Sequence, residues 1–138
     1  MGCDIQLYIE VLTENGWELY SHPTVGRDYE LFAKMAGVRN NGEIETIAQP
    51  KGLPNDISYI VRHASADWDG DAHSHSWLDS DEIEELRVWN DCGRDGPPWC
   101  RVGELHHEIL NCYCEGHYFD EPDVQWIKDT RFVFWFVD

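Results

Sequence analysis

The chain has 138 residues, 42% hydrophobic and 13% aromatic, which suits one globular domain over 1–138 with its own core and excludes a disordered polymer. Its formal charge is −17 and its ten basic residues are scattered, so the clustered Lys and Arg on which nucleic-acid and anionic-membrane binding rest are missing. No basic segment leads into an apolar one at the start, and the longest apolar run, 132–137, is too short to span a bilayer. A soluble cytoplasmic protein is expected, its five cysteines reduced.

Ile5, Leu7, Ile9 and Val11 alternate with a second set of residues, the period of a half-buried strand. Asn15-Gly16 marks a turn, and Trp17 to Tyr20 reads as the returning strand of a hairpin. Asp28 is placed to cap a helix over 28–38 whose Leu31, Phe32, Met35 and Ala36 share a face and whose end is marked by Gly37. The stretch 40–54 carries Asn-Gly, Gln-Pro and Leu-Pro pairs and reads as loop. Asn55 or Asp56 starts a second helix near 56–66 with Ile57, Ile60, Val61 and Ala64 inward.

Asp79 followed by Glu82 predicts a capping box and a third helix near 80–90, with Ile83, Leu86 and Trp89 as its buried stripe. Gly93, Gly96 and Pro97-Pro98 break 91–99 into a loop. Residues 104–113 suit a fourth helix or a strand equally. In 131–137 both alternating sets are apolar, which predicts a central strand covered on two faces. The fold class expected is α+β. An antiparallel sheet of three to four strands, from the N-terminal hairpin and the C-terminal strand, packs with three to four helices. A second layer, or a partner copy in a homo-oligomer, covers the far face.

Met1-Gly2-Cys3-Asp4-Ile5, 27–33, 37–40, Gly52-Leu53-Pro54, His73-Ser74-His75-Ser76-Trp77-Leu78 and 133–136 together resemble a family of small, mostly uncharacterised proteins of phages and prophage-bearing bacteria. The resemblance implies a mobile-element setting in a host cytoplasm and brings no activity, cofactor or substrate. The chain departs from that pattern at Gln6, where similar sequences carry His, and at Val137-Asp138, where they carry Asp-Asn. An amide is a weak metal ligand, so Gln6 argues against a metal site built on the first strand.

Four residue sets carry candidate chemistry. Asp69, Asp71, His73 and His75 alternate, and an extended backbone would turn all four toward one cation, zinc or another divalent metal. Cys100, Cys112, Cys114 and His117 offer thiolates and an imidazole for a structural zinc, although Cys-x-Cys spacing suits it less than Cys-x-x-Cys. Cys3 is a candidate nucleophile with His73 as base and Asp4 as its orienting group, set against the blander reading of a buried structural thiol. Arg27, Tyr29, Arg39, Asn40, His73, Ser74 and Trp77 combine guanidinium forks, stacking rings and polar edges, the inventory of a site for a nucleotide-derived small molecule.

Three functions follow. The first is a non-enzymatic phage or prophage accessory protein that captures such a small molecule to counter host defence. The second is a metal-dependent hydrolase using Asp69, Asp71, His73 and His75. The third is an acidic inhibitor or DNA mimic, for which the blander account of the acidity is solubility.

Overall fold

The computed structural model describes residues 2–40, 42–94 and 130–138. Alternation makes β1 (Asp4–Thr13), and Gly16, at φ 101°, turns the chain into β2 (Gly16–Ser21). Helix α1 (Tyr29–Ala36) starts where the Asp28 carboxylate accepts from the Leu31 amide and ends at Gly37 in the left-handed conformation. Strand β3 (Ala72–Leu78) follows α2 (Tyr59–Trp68) and a 3-10 turn at 69–71. Helix α3 (Ser80–Val88) opens on a complete capping box of Asp79 and Glu82. It runs on into a π-helical turn over 89–93, so the first part of the segment 91–99 extends a helix. The described chain closes with β4 (Thr130–Val137).

These strands form one antiparallel sheet in the order β2-β1-β4-β3, with α1, α2 and α3 packed on it: an α+β fold. β4 is central and buried nearly throughout, because neither of its faces meets water. On one face Phe132, Phe134 and Phe136 join Ile5, Leu7 and Ile9 beneath Leu31, Phe32, Ile83 and Leu86 of α1 and α3. On the other, Val133, Trp135 and Tyr8 pack against Ile57 and Val61. Cover for the far face therefore comes from α2 and its approach within the same chain.

α2 departs from the sequence expectation. It begins at Tyr59, three residues past the expected Asp56, because 54–57 form a turn closed by Ile57 N–H to the Pro54 carbonyl. The Ser58 hydroxyl then accepts from the Val61 amide as the cap. Ile57, Val61 and Ala64 face the core as expected, joined by Ser65, while Ile60 is 58% exposed. The undecided element at 104–113 lies outside the described residues. No helix among the described residues is long and apolar enough to cross a membrane.

Candidate functional site

Pairing of the first and last strands fixes the geometry of one sheet end. Asp4 pairs with Val137 and Ala72 with Val137, so the entry to β1, the exit of β4 and the start of β3 meet there. Cys3, His73 and Asp138 project from this end on the face that carries α1 and α3. Their ligand atoms (Sγ, an imidazole nitrogen and a carboxylate oxygen) all lie within 4.8 Å of one another. Cys3 is fully buried, while the side chains of His73 and Asp138 are half-exposed.

Three neighbours hold the cluster. Arg39 reaches Asp138 Oδ1 at 3.5 Å and lies over the Tyr29 ring at 5.4 Å. The Tyr29 hydroxyl accepts from the Cys3 amide at 3.1 Å. Ser74 Oγ lies 3.0 Å from His73 Nδ1. Arg39 and Ser74 have φ of 58° and 55°, the two described residues other than glycine in the left-handed region. Such backbone costs about 1–3 kcal/mol per residue and persists only where its surroundings enforce it.

Charge at this end is arranged around one carboxylate. The hydrogen bond from Cys3, then His73 and Arg39, hold Asp138 below the usual carboxylate range, so it is ionised at neutral pH. Burial, with the hydrogen bond to Asp138 and its charge, pushes the Cys3 thiol up to about 11, and Arg39 opposes this only in part. A thiol so protonated is a poor nucleophile. Asp4, expected to orient an imidazole, instead makes a two-pronged pair with Arg27, at 2.8 Å and 3.2 Å.

The bulge in β3 decides what the Asp-His segment can do. His73 pairs with Phe136 and Ser76 with Phe134, so three steps on β3 match two on β4. Alternation is broken at Ser74. His73 stays beside Phe136, while His75 stacks on Trp135 across the sheet, its ring centroid 5.8 Å away. His73 and His75 therefore lie on opposite faces of the sheet, and the expected convergence of both on one cation does not occur. Among the described residues, neither Asp71 nor His75 belongs to a group with metal-ligand spacing. Cys100, Cys112, Cys114 and His117 lie outside the described residues; Cys92 is exposed.

Of the residues read as ligand contacts, Tyr29, Arg39, His73 and Ser74 gather at this sheet end. Asn40 turns back on its own loop, its side chain bonded to Ile44. Trp77 belongs to the opposite face and the opposite end.

There a cavity of about 660 Å³ opens between Trp17 of β2 and Trp77 of β3, bounded by Lys51, Leu53, Pro54, Asn55, Asp56 and Arg131. Arg131 lies over the Trp17 ring at 4.0 Å and Lys51 over the Trp77 ring at 4.0 Å, so cations and indoles alternate along one wall. Arg131 is itself buried and bonded through all three of its nitrogens: Glu10 Oε1 accepts its Nε–H at 2.7 Å, and Asp56 accepts through both carboxylate and carbonyl. Glu10, fully buried, takes the Ser58 amide on its other oxygen at 2.8 Å. Arg131 accordingly holds the Asp56 carboxyl below its ordinary range. Lys51 is held by its amide on Ser76 Oγ and by its ammonium on Glu82 at 2.5 Å, while the Gly52 amide closes on the His75 carbonyl. These bonds tie loop 51–56 to the edge of β3. Trp17, Lys51 and Arg131 escape sequence reasoning as site residues, since only the strand order brings them together.

The fold and its two polar centres define a small α+β protein. No family model matches the chain, and neither a curated protein nor a solved structure resembles it.

Proposed function

We propose that this protein captures a small, flat, negatively charged molecule of the nucleotide class, without chemical turnover, in the cavity between Trp17 and Trp77. The observation that carries this reading is a ligand-sized cavity walled by two indoles and edged by Lys51 and Asn55. Pockets for small molecules run to about 300–1,000 Å³ and combine aromatic walls with a few placed polar groups. An indole face offers stacking to a base. Lysine carries three donors and Glu82 occupies one, which leaves donors for a ligand phosphate at the cavity edge. Arg131, spent on Glu10 and Asp56, acts as a rigid wall. The resemblance of 73–78, 52–54 and the β4 segment to phage and prophage proteins supports a mobile-element setting, in which sequestering a host defence signal is the role proposed.

Tryptophan fluorescence during titration with AMP, GMP, CMP and UMP tests the reading. Saturable quenching by at least one nucleotide is expected, abolished in Trp77→Ala and weakened in Lys51→Ala, with far-UV dichroism verifying the fold. Absence of saturable quenching at millimolar nucleotide, or quenching retained in folded Trp77→Ala, would remove the proposed ligand seat.

A further inference from the structure

Three features of the Cys3 end remain unexplained by capture at the opposite face. The first is the donor set. A thiol sulfur, an imidazole nitrogen and a carboxylate oxygen from three separate chain segments are brought within 4.8 Å of one another. Sulfur, nitrogen and oxygen together suit zinc and its neighbours among the divalent transition ions, whereas calcium and magnesium take oxygen alone. His73 Nε2 and Asp138 Oδ1 stand 3.3 Å apart. Two ligands each about 2.1 Å from a tetrahedral ion are separated by about 3.4 Å.

The second feature is an unmet nitrogen. His73 Nε2 is buried, makes no hydrogen bond among the described residues, and faces the Asp138 carboxylate at 3.3 Å. A buried polar atom in that condition costs stability unless something binds it. Its sister nitrogen Nδ1 is engaged by Ser74 Oγ at 3.0 Å. That division, one nitrogen anchored and the other turned toward the carboxylate and thiol, is how proteins aim a histidine at a metal.

The third is strain at the residues that aim the site. Ser74 holds the bulge that keeps His73 on the face of Cys3, and Arg39 holds Asp138; both adopt positive φ. Backbone strain of this kind is explained when the groups it places are put to use.

We infer that Cys3, His73 and Asp138 bind one divalent ion of the zinc type, with a fourth coordination position left to water. The ion fastens the start of β1, the start of β3 and the end of β4 to one another. Arg39 balances Asp138 in the metal-free protein and competes with the arriving ion for the same carboxylate. This centre is independent of the nucleotide seat, which lies on the other face.

Metal-stripped full-length protein titrated with Co²⁺ tests the assignment. One equivalent is expected to bind, giving the visible absorption of a four-coordinate ion and a thiolate-to-cobalt charge-transfer band. Cys3→Ser should abolish that band. Since even an outer-shell partner is worth about ten- to a hundredfold in affinity, His73→Gln and Asp138→Asn should each weaken binding by at least about tenfold. Arg39→Met should tighten it. No bound Co²⁺ would overturn the assignment, and so would an undiminished charge-transfer band in Cys3→Ser, which would move the site to other cysteines. The partly exposed His73 provides an arm that does not depend on replacing a core residue. In folded His73→Gln, a Zn²⁺-induced rise in melting temperature equal to that of the parent would also overturn it.

Discussion

At the Arg131 end of the sheet buried charge is fully answered: Glu10 uses both oxygens, and the guanidinium uses Nε and both terminal nitrogens. At the Cys3 end the groups are just as crowded, yet a sealed imidazole nitrogen goes without a hydrogen bond, and the backbone is twisted at Ser74 and Arg39. The two arrangements have different thermodynamic meanings. A saturated network resists removal of any member, because the survivor is left charged in a dry place. An unsaturated, strained cluster costs stability in the empty protein and regains it when a ligand completes it.

Breaking the saturated end should have the largest effect. Glu10→Ala strands Arg131 and the Ser58 amide, and urea unfolding should show a loss of about 3–5 kcal/mol. A loss below about 1 kcal/mol would mean that water enters freely and that the two ends do not differ as argued. At the other end the sign reverses. Ser74→Gly relieves a left-handed residue and should raise metal-free stability by about 1 kcal/mol. The same variant frees His73 Nδ1 and should weaken metal binding. Destabilisation of the metal-free form would show that Ser74 contributes packing rather than strain.

The smallest effect sharpens the contrast between His73 and His75. Burial against Trp135, aided by the nearby His73, lowers the pKa of His75 below its ordinary value. The unfolded chain then binds the proton first. Stability is full above the unfolded pKa of about 6.5 and falls as pH drops below it, until the folded group also protonates. Urea midpoints of metal-free protein at about pH 7.5 and 5.5 should differ in that direction. His75→Gln should flatten the dependence, and an unaltered slope would assign it to another group.

Local chemistry makes much of the fold legible. Asn15-Gly16, Asp28 with Gly37, and the Asp79/Glu82 box each need only their neighbours, and the double-sided apolar run of β4 marks its place at the centre. β3 is illegible because an Asp-rich lead-in and a bulge spoil its alternation. The start of α2 is obscured because Asn55, Asp56 and Ser58 are all competent caps, and the turn at 54–57 selects the last. For the site, side-chain chemistry singles out Tyr29, Arg39, His73 and Ser74 as candidates, and considers Cys3 only as a thiol beside His73. Asp138 gains its importance from the pairing of β1 with β4, and Arg131 from Glu10, 121 residues away. Such separations leave no mark in a sequence window.

The neighbouring placement of β1 and β4 has a kinetic corollary. Loop-closure entropy must be met before contacts between such distant segments return anything, so the sheet acquires its middle late in folding. During synthesis the hairpin and the three helices emerge while the β1 edge still waits for its neighbour. Both polar centres need β4, which carries Arg131 to Glu10 and leads into Asp138, so neither is complete until β4 pairs with β1.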